Sequence, residues 1–502
     1  MKQRNMTRPQ EPGHARSEWS LKLALHAFLI IIMLLVFCLT PTHVALAQEV
    51  SENSSIYLPL IEYRTKDCPV LRTPTIFGMQ TYGESGRNTP YFVDMMDSGA
   101  SWFRIETYWA GVEPENTTPE NFYWTNMDNL VRAANDGCLN GIITIDGNPA
   151  WAASTSAGPI DRVDVRELAE FLAAVVERYD GDGINDAPGA PVIQHIELYN
   201  EPDRASLPNT PGWGDHGAEY AEMLKTVYPA MKAANPNVNV MLGGIAYDNF
   251  VGEEAEGGFI KSFLTDVLNA GGGAYFDTMN FHFYPLFASR WTGTSDGSRG
   301  IGLYEKSQAI RSVLQQYGIN KPLVITEGGW HSNADQAPLS SEQAQAAYVV
   351  QIFMQSYAAG IDFSIWWTLY DIDLNFYPFK NGLVTSISES NPPRRKQAYF
   401  AYQTLTSQIA PLQFSQKLPD TVTGTNQIEA YQFIGERAVY AAWLNPLLTT
   451  TTKTFRINAS QVTERNMTWG IVRTIRDGDD GNVDGQVRVS VNGTPKYFEV
   501  NQ

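Results

Sequence analysis

The chain has 502 residues, 43% hydrophobic and 12% aromatic, which is apolar material for more than one large core and leaves no room for a disordered polymer. Its formal charge of −18 argues against nucleic acid and other polyanions as partners, because phosphates require a basic face.

In chain order, a basic stretch (Lys2, Arg4, Arg8, Arg16, Lys22) leads into the apolar run Leu23 to Leu39, and Ala45-Leu46-Ala47 then supplies a small-x-small cleavage site. Residues 1–47 read as a secretory signal peptide, which places the mature chain outside the cell, secreted or at the cell surface, and off the membrane after cleavage. An uncleaved anchor is the alternative, since the run approaches the length of a spanning helix. Bulky Phe37 before Cys38 argues against lipoprotein processing. Residues 48–70, with Ser51-Glu52-Asn53-Ser54-Ser55, read as a linker. Export makes a Cys68–Cys138 disulfide permissible, and both residues precede expected strands near the same end of the fold; two free thiols are the alternative.

From Thr75 to Phe400, short β-branched runs alternate with longer amphipathic ones. The expected strands are Thr75–Tyr82, Ser101–Thr107, Gly141–Asp146, Ile193–Asn200, Val238–Gly244, Thr278–Phe283, Leu323–Glu327 and Phe363–Thr368. Helical patterns lie between them, among them Val165–Tyr179, Ala218–Ala234, Tyr304–Tyr317 and Glu342–Ala359. Eight such units predict an α/β class fold, a (β/α)8 TIM barrel over 71–410. Beyond Leu412 the pattern changes to short alternating strands such as Ile428–Ile434, Ala438–Leu444, Thr452–Ile457 and Val487–Val491, which predict a C-terminal β-sandwich domain over 411–502, packed on or beside the barrel.

Asp180-Gly181-Asp182-Gly183-Ile184-Asn185-Asp186 resembles a calcium loop but lacks the distal bidentate glutamate and precedes strand four, so a polar turn competes with a structural cation. There is no His/Cys cluster for zinc and no Gly-rich phosphate loop. No metal and no organic cofactor is expected.

Two glutamates stand at strand ends: Glu201 in Leu198-Tyr199-Asn200-Glu201-Pro202, and Glu327 in Val324-Ile325-Thr326-Glu327-Gly328. Strand ends of a parallel barrel can hold two carboxyls about 5–5.5 Å apart, the spacing that double displacement at an anomeric carbon needs. At these residues the chain resembles the large clan of retaining glycoside hydrolases known as clan A. Asn200-Glu201-Pro202 and Thr326-Glu327 match its motifs after strands four and seven. Trp102-Phe103-Arg104, His282-Phe283-Tyr284, Trp366-Trp367 and the run Trp109 to Pro114 with Tyr123-Trp124 and Asp128 match elsewhere. The resemblance spans residues 75–405 and is nearest to families 39 and 5, the former for its trailing β-domain. Some members carry a histidine after strand three, where this chain has Asp146-Gly147-Asn148-Pro149-Ala150-Trp151.

The resemblance implies Glu327 as nucleophile and Glu201 as acid/base. Arg104 and Tyr284 are suited to holding Glu327 ionised, and the charge on Glu327 should raise the proton affinity of Glu201. Asn200 is expected at the sugar 2-hydroxyl, His282 as a support between strands four and seven, and Trp367 as an aromatic platform. Trp151 and Trp330 are further platform candidates, and His331 and His216 are loop candidates for subsites. The expected activity is retaining cleavage of a β-linked oligo- or polysaccharide, with xylans, glucans or mannans fitting the acidic charge better than uronans. Exo and endo action both stay open. A barrel without catalysis, serving as a carbohydrate-binding or surface protein, is the competing reading, and a third gives the binding role to the β-domain.

Overall fold

The computed structural model describes residues 73–82, 90–206, 212–247, 258–285, 299–335, 339–372 and 380–500. The expected signal peptide, the linker and Cys68 lie outside them. Cys138 is disulfide-bonded.

Each apolar run becomes a strand, and each amphipathic run that follows lays its apolar stripe on the outside of the strands. The order is β1 (Phe77–Gln80), α1 (Pro90–Ser98), β2 (Trp102–Tyr108), α2 (Thr125–Asp136), β3 (Asn140–Asp146), α3 (Arg166–Arg178), β4 (His195–Asn200), α4 (Gly217–Ala234), β5 (Asn239–Gly244), α5 (Phe263–Asn269), β6 (Met279–Phe283), α6 (Leu303–Gln316), β7 (Leu323–Gly328), α7 (Glu342–Ala359), β8 (Ile361–Trp367) and α8 (Gln397–Thr404). The strands pair in parallel in the order β5-β4-β3-β2-β1-β8-β7-β6. Bridges Met241–Thr278 and Ile245–Phe281 join β5 to β6, so the eight strands close into the expected barrel.

Alternate residues of every strand point inward, and the interior is layered. At the bottom, Trp102, Ile142, Met241, Val324, Phe363 and Ile365 form an apolar plug. One step up each strand the interior turns polar, with Gln80, Arg104, Thr144, Glu197 and Asn280 all buried. The third step reaches the mouth, where β4, β6, β7 and β8 present Glu201, His282, Glu327 and Trp367.

The C-terminal region is antiparallel: β9 (Gln413–Lys417), β10 (Ile428–Ile434), β11 (Ala438–Leu444), β12 (Lys453–Asn458), β13 (Gln461–Arg465), β14 (Ile471–Arg476), β15 (Gln486–Val491) and β16 (Lys496–Val500). Six strands form one sheet in the order β14-β13-β16-β11-β10-β9, and β12 pairs with β15 as a separate ribbon. Period-two alternation divides the large sheet between two cores. Ile428, Ala430, Tyr440, Ala442 and Leu444 pack with Phe455, Ile457, Val487, Val489 and Val491 of the ribbon, which makes the sandwich. Tyr431, Phe433, Val439, Ala441 and Trp443 belong instead to the same continuous core as the barrel.

Helix α7 is the element between barrel and sheet. Ser341 caps its start by accepting from the Ala344 amide at 3.1 Å, and Gly360 ends it in the left-handed conformation, at φ 62°. It is buried almost all round, Gln345, Gln351 and Gln355 included, because β8, the flanking helices α6 and α8 and the C-terminal sheet all pack on it. Phe433 meets Tyr357 of α7 edge-on at 5.1 Å. Gln355 donates to Glu429 at 3.0 Å, Gln351 to Asn445 at 3.1 Å, and Asn445 to Glu429 at 2.8 Å. Among the described residues no helix is long and apolar enough to cross a membrane.

The Asp180–Asp186 segment folds as a turn whose carboxylates converge within 4.8 Å of one another. The amides of Gly181 and Gly183 donate to Asp186 at 3.1 and 2.8 Å, so the turn satisfies its own polar groups.

Candidate active site

The chain turns sharply at the end of β4. Tyr199 and Glu201 both adopt left-handed backbone angles, at φ 67° and 46°. For non-glycine residues this costs about 1–2 kcal/mol each, and the surroundings hold it. The Tyr199 hydroxyl donates to Asn148 Oδ1 at 2.7 Å, its ring packs on Trp213, and Tyr220 donates to the Leu198 carbonyl at 2.6 Å. Two glycines on β5 make room. A Cβ on Gly243 would lie 2.4 Å from the Leu198 oxygen, and one on Gly244 only 2.2 Å from His282 Nε2. Across the barrel, the β6–β7 register shifts between Phe281 and His282, so His282 stands opposite Glu327.

Arg104, wholly buried, organises the polar layer. Its Nε donates to Glu197 at 2.8 Å and to Thr144 at 2.9 Å, its Nη1 to Gln80 at 2.8 Å and to Glu327 at 2.7 Å, and its Nη2 to Asn200 Oδ1 at 2.7 Å. Burial disfavours the guanidinium charge, but Glu197 and Glu327 outweigh it and raise its pKa further. Glu197 is a counter-ion satisfied on every side, by Arg104, Thr144 at 2.5 Å, Asn280 at 2.8 Å, Thr326 at 2.9 Å and the Gly244 amide at 3.1 Å. Burial pushes its carboxyl up, yet the charges of Arg104 and His282 bring it below the ordinary value. Tyr284 completes the environment of Glu327, donating to Oε2 at 2.9 Å.

A carboxylate oxygen from Glu201, one from Glu327 and a ring nitrogen of His282 lie within 4.8 Å of one another. His282 Nδ1 is 3.0 Å from Glu201 and 3.6 Å from Glu327. Its Nε2 lies 3.2 Å from Thr326 Oγ1, and Lys306 donates to its carbonyl at 2.9 Å. Such a trio could close on a cation, but here His282 and Arg104 already supply positive charge to both carboxylates. The structure departs from the expected proton balance. Burial raises the affinity of Glu201 for a proton, but the hydrogen bond and charge of His282 and the charge of Arg204 leave its pKa lowered. Burial opposes charge on His282, and Glu327 and Glu201 overcome it, so its pKa is raised. Glu201 and His282 thus form one proton-holding pair, with the proton drawn toward the ring.

The structure therefore brings together Arg104, Asn200, Glu201, His282, Tyr284 and Glu327, with the Trp367 ring 6.4 Å from that of Tyr284 at the rim. Trp151 and Trp330 are used in packing. Trp151 donates to the Glu113 carbonyl at 3.0 Å and sits edge-on to Trp109, and Trp330 lies on Tyr348 of α7 and donates to Ser340 at 2.9 Å. His331 stacks on Trp330, and burial pulls its pKa down to about 4. His216 pairs with Glu219 at 3.3 Å on the start of α4. Sequence reasoning missed Glu197, Asn280, Gln80, Lys306 and the Gly243-Gly244 pair. The available signal was a charged or amide side chain earlier on a strand that ends in a site residue, Asn280 two positions before His282 and Glu197 four before Glu201.

A parallel eight-stranded barrel with carboxylates converging from β4 and β7 belongs to the glycosyl hydrolases of clan A, a clan that retains anomeric configuration. Residues 64–371 match the model of the cellulase family, glycosyl hydrolase family 5, and the chain belongs to that family. No curated protein matches the chain significantly. Among solved structures, a family 39 glycoside hydrolase from the gut symbiont Bacteroides cellulosilyticus WH2 is similar at TM-score 0.62 and 19% identity, over 85% of this chain and 81% of that one. A family 39 β-xylosidase from Caulobacter crescentus is similar at TM-score 0.55 and 14% identity, over 85% and 96%. A family 30 endoxylanase from Clostridium papyrosolvens C71 is similar at TM-score 0.53 and 17% identity, over 86% and 97%.

Proposed function

We propose that the chain is a secreted hydrolase of β-linked glycans, acting by double displacement with Glu327 as nucleophile and Glu201 as acid/base. The observation that carries this reading is the convergence of Glu201, His282 and Glu327 within 4.8 Å, with Arg104 bound to Glu327 and His282 to Glu201. Secretion rests on residues 1–47.

In the first step a Glu327 oxygen bonds to the anomeric carbon, the glycosidic C–O bond breaks, and the leaving oxygen takes a proton from Glu201. His282 Nδ1, 3.0 Å from Glu201 Oε1, replaces the proton that Glu201 gives up, so the pair as a whole spends one proton. Arg104 and Tyr284 keep Glu327 anionic and aimed. Once the ester forms, the negative charge of Glu327 is gone and the pair can accept a proton. Water then attacks the anomeric carbon, the ester bond breaks, and the proton of water returns to Glu201 and His282. Asn200 has its Oδ1 engaged by Arg104, which leaves its NH2 for the sugar 2-hydroxyl. Trp367 offers a ring edge beside the nucleophile.

The test is hydrolysis of a panel of aryl β-glycosides and β-linked polysaccharides by the wild type, Glu201→Gln and Glu327→Gln. Turnover lost in both variants, with azide restoring product in Glu327→Ala, supports the assignment. Full activity in either variant sinks it, and a wild type that binds glycans without cleaving any would replace it with the carbohydrate-binding reading.

A further inference from the structure

On the side of the mouth formed by β1, β2 and β8 an arc of contacts leads away from the nucleophile. Tyr284, which donates to Glu327, meets the Trp367 ring edge-on, and Trp367 Nε1 donates to the Tyr82 hydroxyl at 3.0 Å. With its oxygen engaged, Tyr82 donates its own proton to Glu106 Oε2 at 3.1 Å. Tyr108 donates to Glu106 Oε1 at 3.4 Å. Glu106 is two residues beyond Arg104 on the inward face of β2, and it is only partly covered. Asp146 ends β3 directly beside Tyr108 in register, with the Gly147 amide on its Oδ1 at 2.8 Å. Neither carboxyl belongs to the proton chemistry derived above.

The geometry points to Glu106, framed by Tyr82 and Tyr108 and flanked by Asp146, as the group that recognises the sugar on the nucleophile side, a neutral glycone that donates two adjacent hydroxyls to this carboxylate. The inference rests on the hydrolase reading of the site. A carboxylate has about four lone-pair directions, and the two tyrosines use two, which leaves acceptor capacity for two more donors. The anomeric carbon must meet Glu327 and the aglycone must lie toward Glu201, so the glycone extends along the arc to Glu106. Burial raises the pKa of Glu106 against the pull of Arg104, and burial with the charge of Glu106 lifts Asp146 to about 7. Among the described residues the hydrogen-bond partners of Glu106 are the phenols of Tyr82 and Tyr108 and no cation, so a uronate carrying its own negative charge finds no counter-ion bound at this carboxyl.

The experiment compares an aryl β-glucoside, β-xyloside and β-glucuronide with one common leaving group, on the wild type, Glu106→Gln and Asp146→Asn. In Glu106→Gln, kcat/KM on the preferred neutral glycoside falls about 10- to 100-fold, mostly through KM. Its preference over the glucuronide falls by about tenfold or more. A merely structural role would lower all three substrates by one factor, and an unchanged preference in both variants overturns the inference while leaving the hydrolase reading intact. A wild type that cleaves only the glucuronide would overturn the inference alone, and one silent on these and on the wider panel of glycosides and polysaccharides would overturn both.

Discussion

Glu327 in the barrel mouth and Glu429 at the seam with the C-terminal sheet are both buried carboxylates held by several hydrogen bonds, yet only one sits where chemistry can happen. Glu429 receives Gln355, Asn445 and the Tyr431 hydroxyl, with Lys417 3.7 Å away at its outer edge. Its partners are mostly neutral amides spread across two domains, and all of them belong to the protein. Glu327 receives a full guanidinium charge and a phenol from one side and faces an imidazole and a second carboxylate on the other. Burial and saturation make an adhesive; burial with an asymmetric charge field and one open side makes a reactive group.

The largest effect should come from breaking the reactive member. Glu327→Ala should lower kcat by roughly 10^4- to 10^6-fold, the scale of losing a nucleophile, whereas Glu429→Ala should leave kcat within about twofold of the wild type. Steady-state rates on a single aryl glycoside compare the two. Next is Arg104→Met, which strands Glu197 in the core without its counter-ion. We expect a loss of about 3–5 kcal/mol in urea unfolding together with loss of turnover. Gly244→Ala sharpens the comparison without touching a charge. The new methyl displaces His282, and kcat should drop about 10^2-fold with folding retained. At the seam, Glu429→Ala should reduce stability by about 1–3 kcal/mol, seen as a lower Tm at unchanged KM.

The smallest effect is a displaced pH limb. The pKa of His282 is raised, so the pair keeps its proton until the pH rises above the ordinary histidine value of about 6.5, and the alkaline fall in kcat/KM should lie above that point. In His282→Gln the proton rests on Glu201 alone, and the limb should move to lower pH. A limb that stays in place would show that His282 does not share the proton.

Much of this was legible because it is local. All eight strands announced themselves as short apolar runs, and Glu201 and Glu327 fell at the ends of two of them. Glu342–Ala359 was readable as a helical run, and the structure gives it these bounds, with Ser341 and Gly360 as its caps. What was not legible depends on through-space partners. Glu197 lies four positions before Glu201 on the same strand run and looks like any charge in a strand until Arg104 arrives from β2. The charge of Glu327 was expected to govern the proton on Glu201, and the imidazole interposed at 3.0 Å changes that balance. Trp151 and Trp330 carry the same residue type as Trp367, and only packing against Trp109 and Tyr348 separates them from it.

The order of strands in the C-terminal sheet bears on how the chain can be made. β16, the last strand described, lies in the middle of that sheet, between β13 and β11. The sheet is complete only once β16 (Lys496–Val500) has inserted between them, whereas Phe414, Glu429, Phe433 and Asn445, which cover α7, are made earlier. The eight barrel strands are synthesised by Trp367, more than a hundred residues before β16, an interval of about 6–26 seconds at ordinary elongation rates. The barrel strands therefore have time to pair before the sheet that packs on α7 is finished.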